Sequence, residues 1–256
     1  MKPLALILAR AGSKGLPGKN RAPVADRPCF LWTVDDARAA RHPARLAIST
    51  DDEDILRSAI ELGVDAVLRP AELATDSAPV DDAARHAVRT LDDDSLDPIV
   101  LLYANAPVRP AGLIDRALDQ YATTGADSVQ SYAAVGKHHP WWTARLDAST
   151  GAVTPWEGDT LNHGVFRRQD LPGAVIPDGG VLVVSRRALM LEIPDIPSGP
   201  HAFLGADRRG VLTNEGDVID IDSAIDLRVA DAVLRERTAD LAAQRPAPGQ
   251  ISRCAP

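Results

Sequence analysis

Residues 8–20 read Leu-Ala-Arg-Ala-Gly-Ser-Lys-Gly-Leu-Pro-Gly-Lys-Asn and follow the apolar run Leu4-Ala5-Leu6-Ile7-Leu8. Arg10, Lys14 and Lys19 bring positive charge, and Gly12, Gly15 and Gly18 let backbone N–H groups close on an anion. A strand that hands the chain to such a loop predicts a phosphate site at the carboxyl end of the strand, where open α/β sheets bind ligands. The spacing is not that of a P-loop. That motif needs a glycine where Ser13 stands and a hydroxyl where Asn20 follows Lys19. Nor is it a dinucleotide fingerprint, because Pro17 falls where the helix should be starting.

A second group lies far along the chain. In Val218-Ile219-Asp220-Ile221-Asp222, read as a strand, the alternation puts both isoleucines on one face and both carboxylates on the other. Adjacent carboxylates repel unless a cation sits between them. Magnesium, which combines carboxylate oxygens with substrate phosphates, suits that need. The competing reading makes Asp222 or Ser223 the N-cap of the next helix. Asp51 and Asp52 read as acids at a helix start. Arg69, at a strand end, either meets a ligand or pairs with an acid such as Glu72.

The elements that must position these residues alternate. Strands are predicted at 4–9, 45–50, 65–69, 98–105, 128–135, 179–185 and 218–222. Helices are predicted at 30–41, 53–63, 80–91, 111–125 and 224–244, the last with Ile225, Val229, Ala232 and Val233 on one face. Buried apolar strands separated by amphipathic helices give an α/β, doubly wound, mostly parallel sheet. The rhythm breaks over 136–175, which holds Trp141, Trp142, Trp156 and His138 and His139. This stretch reads as a β-rich lobe inserted in a single domain of residues 1–245, with a Pro/Gly-rich tail at 246–256. His42 and His86 read as surface residues.

The 256 residues are 45% hydrophobic and 25% charged, enough for a two-sided core, and the net charge of −8 argues against nucleic acid as a partner. Cys29 and Cys254 have no metal-site or disulfide spacing, and Cys29 reads as a small core side chain. With no stretch of membrane-spanning length and no signal h-region, a cytoplasmic location away from membranes is expected.

The loop sequence, together with "ISTDDEDI" (48–55), "VLRPAELATD" (67–76), "RRQDLP" (167–172) and "DIDSAIDL" (220–227), resembles the acylneuraminate cytidylyltransferases, the CMP-sialic acid synthetase family, in order and over nearly the whole chain. The resemblance implies a nucleotide-diphospho-sugar transferase-like fold, a homodimer built through the lobe, and CMP transfer from CTP to the anomeric hydroxyl of a nonulosonic sugar acid with release of pyrophosphate. It assigns Arg10, Lys14 and Lys19 to the triphosphate and the leaving group. Ala11, Gly12, Ser13 and Asn20 fall to the nucleotide, and Arg69 to the cytosine edge. Asp220 and Asp222 would hold Mg2+, and Tyr103, Arg168, Gln169 and Asp178 would face the acceptor. The lobe tryptophans would be dimer core or pocket wall.

Departures gather on the acceptor side. Where the family commonly reads "LLQPTSPLR", this chain has Leu101-Leu102-Tyr103-Ala104-Asn105-Ala106-Pro107-Val108-Arg109, so Tyr103 replaces a glutamine. Asp178 stands for an asparagine, turning donors into acceptors, and Ile176 stands where a basic residue is frequent. Another acceptor or base on the same fold therefore stays open: 3-deoxy-octulosonate, a phosphonate, or transfer from GTP. So does a non-catalytic nucleotide-sugar sensor.

Overall fold

The computed structural model describes residues 1–12, 15–42 and 45–243. Seven strands form one sheet: β1 (Leu4–Leu8), β2 (Arg45–Thr50), β3 (Asp65–Leu68), β4 (Ile99–Tyr103), β5 (Ser128–Ala134), β6 (Val175–Val184) and β7 (Arg208–Thr213). Their order across the sheet is β3-β2-β1-β4-β6-β5-β7. β1 pairs in parallel with β2 and β4, β2 with β3, and β5 with β7. β6 runs antiparallel to β4 and β5.

β1 explains why its sequence is apolar throughout. Ala5 and Ile7 pack on one face against α1 (Cys29–Ala39), α2 (Glu53–Glu61) and α4 (Leu113–Thr124). Leu4, Leu6 and Leu8 pack on the other against α3 (Val80–Thr90) and the short α5 (Arg186–Leu189). A central strand with helices on both sides has no polar face to offer. A third cluster, Val24, Cys29, Val108, Ile221, Ala230 and Leu234, lies beneath α6 (Ala224–Ala243).

Three expectations need correction. The segment 218–222 is not a strand: Ile219 makes one isolated bridge to Val108, and the rest runs as a strap across the end of the sheet. A single bridge leaves it without a ladder, although its in–out alternation survives. The buried stripe of α6 is Leu227, Ala230, Val233 and Leu234, while Ile225 and Val229 stay 69% and 45% exposed. Two apolar stripes with helical spacing compete in this helix, and the one that meets Val24, Cys29 and Val108 wins. β7 was not foreseen. It is a largely exposed edge strand, Arg-Arg-Gly-Val-Leu-Thr, whose pairing to β5 needs only its backbone and leaves little apolar pattern to read.

Between β5 and β6 the chain leaves the sheet. Ala144–Leu146 and Val153–Pro155 form an antiparallel ribbon flanked by 3-10 turns. Trp141 stacks on His163 at 4.6 Å between centroids and meets His139 edge-on at 5.7 Å. His139 is held by Pro172 O and by the Trp141 N–H. Trp142 Nε1 donates to Val165 O. Among the described residues no helix is long and apolar enough to cross a membrane. The tail and Cys254 lie outside the described residues.

Candidate active site

The parallel strands β1, β2 and β4 all end on one edge of the sheet, and the first loop leaves from it. Pairing continues just past the strands, with Ala9 N donating to Ser49 O and Ala104 N to Leu8 O. The loop is then closed on itself: Asn20, 5% exposed, donates from Nδ2 to Arg10 O at 2.8 Å. Its Oδ1 is buried with no partner. Gly18 takes φ +67, and its carbonyl accepts from Arg21 N and Ala22 N, a turn that suits glycine.

Asp51 is not a helix-start acid. Asp52 alone caps α2, accepting from Asp54 N and Ile55 N, whereas Asp51 Oδ1 accepts the Ala11 N–H at 2.8 Å and so anchors the first loop to the end of β2. Arg69 is 6% exposed and donates to Ser49 Oγ and Ser49 O at 3.2 and 2.9 Å, not to Glu72. Burial pushes its guanidinium below the usual arginine range, while the Asp51 carboxylate pulls it back.

The two groups that the sequence holds far apart meet here. Lys19 Nζ donates to Asp222 Oδ1 at 2.5 Å. A Cβ at Gly15 would run into the Asp222 carbonyl oxygen, so only glycine allows the loop to lie this close to the strap. Arg10 Nη1 reaches Asp76 Oδ1 at 2.6 Å. Ser13 and Lys14 lie outside the described residues.

Asp222 is not the helix cap. The start of α6 is a reciprocal box in which the Asp226 carboxylate accepts from Ser223 N and Ser223 Oγ accepts from Asp226 N. That leaves the Asp222 carboxylate on Lys19. Partial desolvation, then the Asp222 charge, pushes the Asp220 carboxyl above the usual carboxylate range, and Lys19 opposes both.

The acceptor-side residues make contacts of their own. Tyr103 is half-buried, with its ring beside Gly179. Asp178 is committed internally: its carboxylate accepts from Ser131 Oγ, from Thr213 Oγ1 at 2.5 Å and from Gly180 N at 2.9 Å, holding the irregular turn of β6. Arg168 pairs with Glu215, and Gln169 is exposed on the same 3-10 turn. Among the described residues no hydrogen bond or ion pair joins Arg168, Gln169 or Asp178 to the first loop or the strap.

Arg109 closes the stretch Leu101–Arg109. Its side chain is 1% exposed and donates to Gly180 O (2.7 Å), Thr33 Oγ1 (2.9 Å), Tyr103 O (2.9 Å) and Ala106 O, with Asp36 at 3.4 Å. It fastens the end of β4 to β6 and α1. Burial lowers its guanidinium, opposed by Asp36. Nothing in the local sequence separates this arginine from a ligand-facing one.

Among the described residues no group of three or more His, Cys, Asp or Glu side chains forms a metal cage. Asp220 and Asp222 offer two carboxylates, and Asp222 already carries an ammonium. That donor set suits magnesium, which takes one or two carboxylates and completes its shell with water and substrate phosphates.

A solved structure of CMP:2-keto-3-deoxy-manno-octonic acid synthetase complexed with CTP superposes with a TM-score of 0.68 over 93% of this chain and 100% of that one, at 15% identity, a likeness of fold. N-acylneuraminate cytidylyltransferase of Streptococcus agalactiae (serotype III, strain NEM316) is 30% identical over 205 residues, 79% of this chain and 48% of that protein. The 3-deoxy-manno-octulosonate cytidylyltransferase of Synechococcus elongatus is 36% identical over 83 residues, 32% of this chain and 34% of its own. The chain thus spans about half the length, or less, of these two relatives. A cytidylyltransferase family model matches residues 4–146, more than half of the 256 residues and all of the cation loop, Arg69 and the end of β4. By that match the chain belongs to the cytidylyltransferase family.

Proposed function

We propose that this chain transfers CMP from CTP to the anomeric hydroxyl of a nonulosonic, sialic-acid-like sugar acid and releases pyrophosphate. The observation that carries the reading is the meeting of the first loop with the acid strap, Lys19 Nζ on Asp222 Oδ1 at 2.5 Å. The acceptor oxygen forms a bond to the α-phosphorus as the bond from the α-phosphorus to the oxygen bridging to the β-phosphate breaks; the hydroxyl proton passes to solvent, and pyrophosphate leaves with the bridging oxygen and its charge. Such a transfer rests on alignment and on cations aimed at the leaving oxygens.

Arg10, Lys14 and Lys19 supply those cations, and Ala11, Gly12 and Ser13 line the phosphates. Lys19 exchanges an exposed carboxylate for a phosphate without losing a buried partner, since Asp222 is 70% exposed. Asn20, whose Oδ1 has no internal donor, and Arg69, which Ser49 holds still, face the nucleoside. Asp220 and Asp222 would hold Mg2+, which when bound supplies Lewis-acid neutralisation of phosphate oxygens. Tyr103, Arg168 and Gln169 border the acceptor, and Asp178 shapes that border through the turn of β6. The exposed Phe166, Leu146 and Trp156 of the lobe favour burial against a second copy of the chain.

The test is pyrophosphate release from the full chain with CTP, GTP, ATP or UTP, crossed with sialic, legionaminic, pseudaminic and 3-deoxy-octulosonic acids and a set of phosphonates. CTP with a nonulosonic acid is the expected pair. Turnover only with octulosonate or a phosphonate moves the acceptor. CTP binding without release under any condition makes the chain a sensor and ends the proposal.

A further inference from the structure

Outside the cations and acids already assigned, one residue ties the two halves of the site together. Asn105 follows β4, and its neighbour Ala104 is fixed to the end of β1 by the bond from Ala104 N to Leu8 O. Asn105 then grips Ile221 twice. Its main-chain carbonyl accepts the Ile221 N–H at 2.7 Å, and its side-chain Nδ2 donates to Ile221 O at 3.2 Å. A carbonyl can only accept, so the amide nitrogen must face it. We infer that Asn105 is a positioning residue that sets the Asp220–Asp222 strap against the cation loop. The claim rests on the proposed transfer reaction.

Among the described residues the strap has no ladder; besides Asn105 it is held by the bridge at Ile219 to Val108, the buried side chain of Ile221, the partly buried Val218 and Ile219, and the bond from Asp222 N to the Asp226 carboxylate. Ile221 fixes which side chain points inward; Asn105 fixes how far along the end of β4 that residue sits. Asp220 and Asp222 flank it and turn outward. On the far side the Asp222 carbonyl is pressed by Gly15 and its carboxylate by Lys19. The strap is therefore set between the loop that leaves β1 and Asn105 after β4, whose side-chain bond to Ile221 O adds to its main-chain bond from Ile221 N. A slip at Asn105 moves both carboxylates relative to Lys19 at once. An ångström of misplacement at a reacting centre costs up to about 10²-fold in rate.

Asn105→Ala removes the donor, and Asn105→Leu removes it while keeping bulk and neutrality. Amide hydrogen exchange over residues 217–223 is measured together with kcat and KM for CTP in the pyrophosphate assay and with the thermal midpoint. In both variants the expected result is exchange about tenfold faster in that segment. With it come a kcat lower by roughly tenfold, a KM for CTP unchanged, and a midpoint close to wild type. Unchanged exchange, or an unchanged kcat, in the variants that fold overturns the inference. So does a kcat loss that merely follows a fall in the midpoint. If the wild-type chain releases no pyrophosphate with any acceptor, the functional reading fails on its own, and hydrogen exchange still decides whether Asn105 sets the strap.

Discussion

The positive charges of Arg109 and Lys19 both pull against the burial that pushes the Cys29 thiol up to about 12. Both cations have an aspartate nearby, Asp36 and Asp222. There the likeness stops. Arg109 is 1% exposed and spends its guanidinium on three backbone carbonyls and a threonine hydroxyl. Lys19 is 13% exposed and reaches the Oδ1 of an aspartate that is itself 70% exposed. Removing a donor from buried carbonyls carries a desolvation cost, whereas an ion pair whose acid is open to solvent exchanges one anion for another at little cost. Arg109 is committed to the frame, and Lys19 is available to a ligand.

That contrast breaks most decisively at Asp222. Asp222→Asn keeps the shape of the strap but loses the charge opposite Lys19; pyrophosphate release in an assay with added magnesium should vanish while the circular dichroism spectrum and urea midpoint stay put. Turnover at the wild-type rate would remove the acid pair from the reaction. Lys19→Ala should cost roughly 10²–10³ in kcat, the worth of one positioned group on developing charge, with little change in stability. A loss under about twofold would place Lys19 with Arg109, as framework.

The opposite signature is expected of Arg109→Met. The Gly180 carbonyl loses its donor, while Tyr103 O and Ala106 O keep Thr33 Oγ1 and, at Tyr103, the Ala106 N–H, so urea unfolding should report a destabilisation of about 1–3 kcal/mol. An activity loss without a stability loss would contradict the assignment. The smallest effect concerns Asp220. Its folded carboxyl, raised first by desolvation and then by Asp222, holds its proton to higher pH than the unfolded chain does. The native state thus binds more protons over that interval, and stability falls as pH rises from the ordinary carboxylate value through the raised one. Asp220→Asn should be slightly more stable than wild type near neutral pH. The gap should close below the ordinary carboxylate value of about 3.9, as measured by paired urea titrations. A gap that widens on acidification would contradict the sign.

Much of this was legible in advance for a physical reason. β1 is apolar at every position because it is buried on both faces, and the cations and glycines between Arg10 and Lys19 have no use in a core. Local pattern carried those elements, and the parallel alternation of strand and helix carried the sheet. The pattern failed where pairing or packing partners decide. β7 is strand because β5 lends it a ladder, and 218–222 is not strand because one bridge to Val108 and one bond to Asn105 O do not make one. In α6 the choice between stripes belonged to the patch beneath it.

The sequence by itself therefore determined the layered α/β frame, the chemical character of the first loop and the acid pair, and the in–out alternation around Ile221. Tertiary structure alone decided which charges meet. Arg10 found Asp76, Lys19 found Asp222, Asp51 took the Ala11 N–H, and Asp178 turned inward to Ser131 and Thr213. The reason is range. Periodicity and turn chemistry act over a few residues, whereas a hydrogen bond or ion pair depends on a few ångströms between groups that the chain may separate by its whole length.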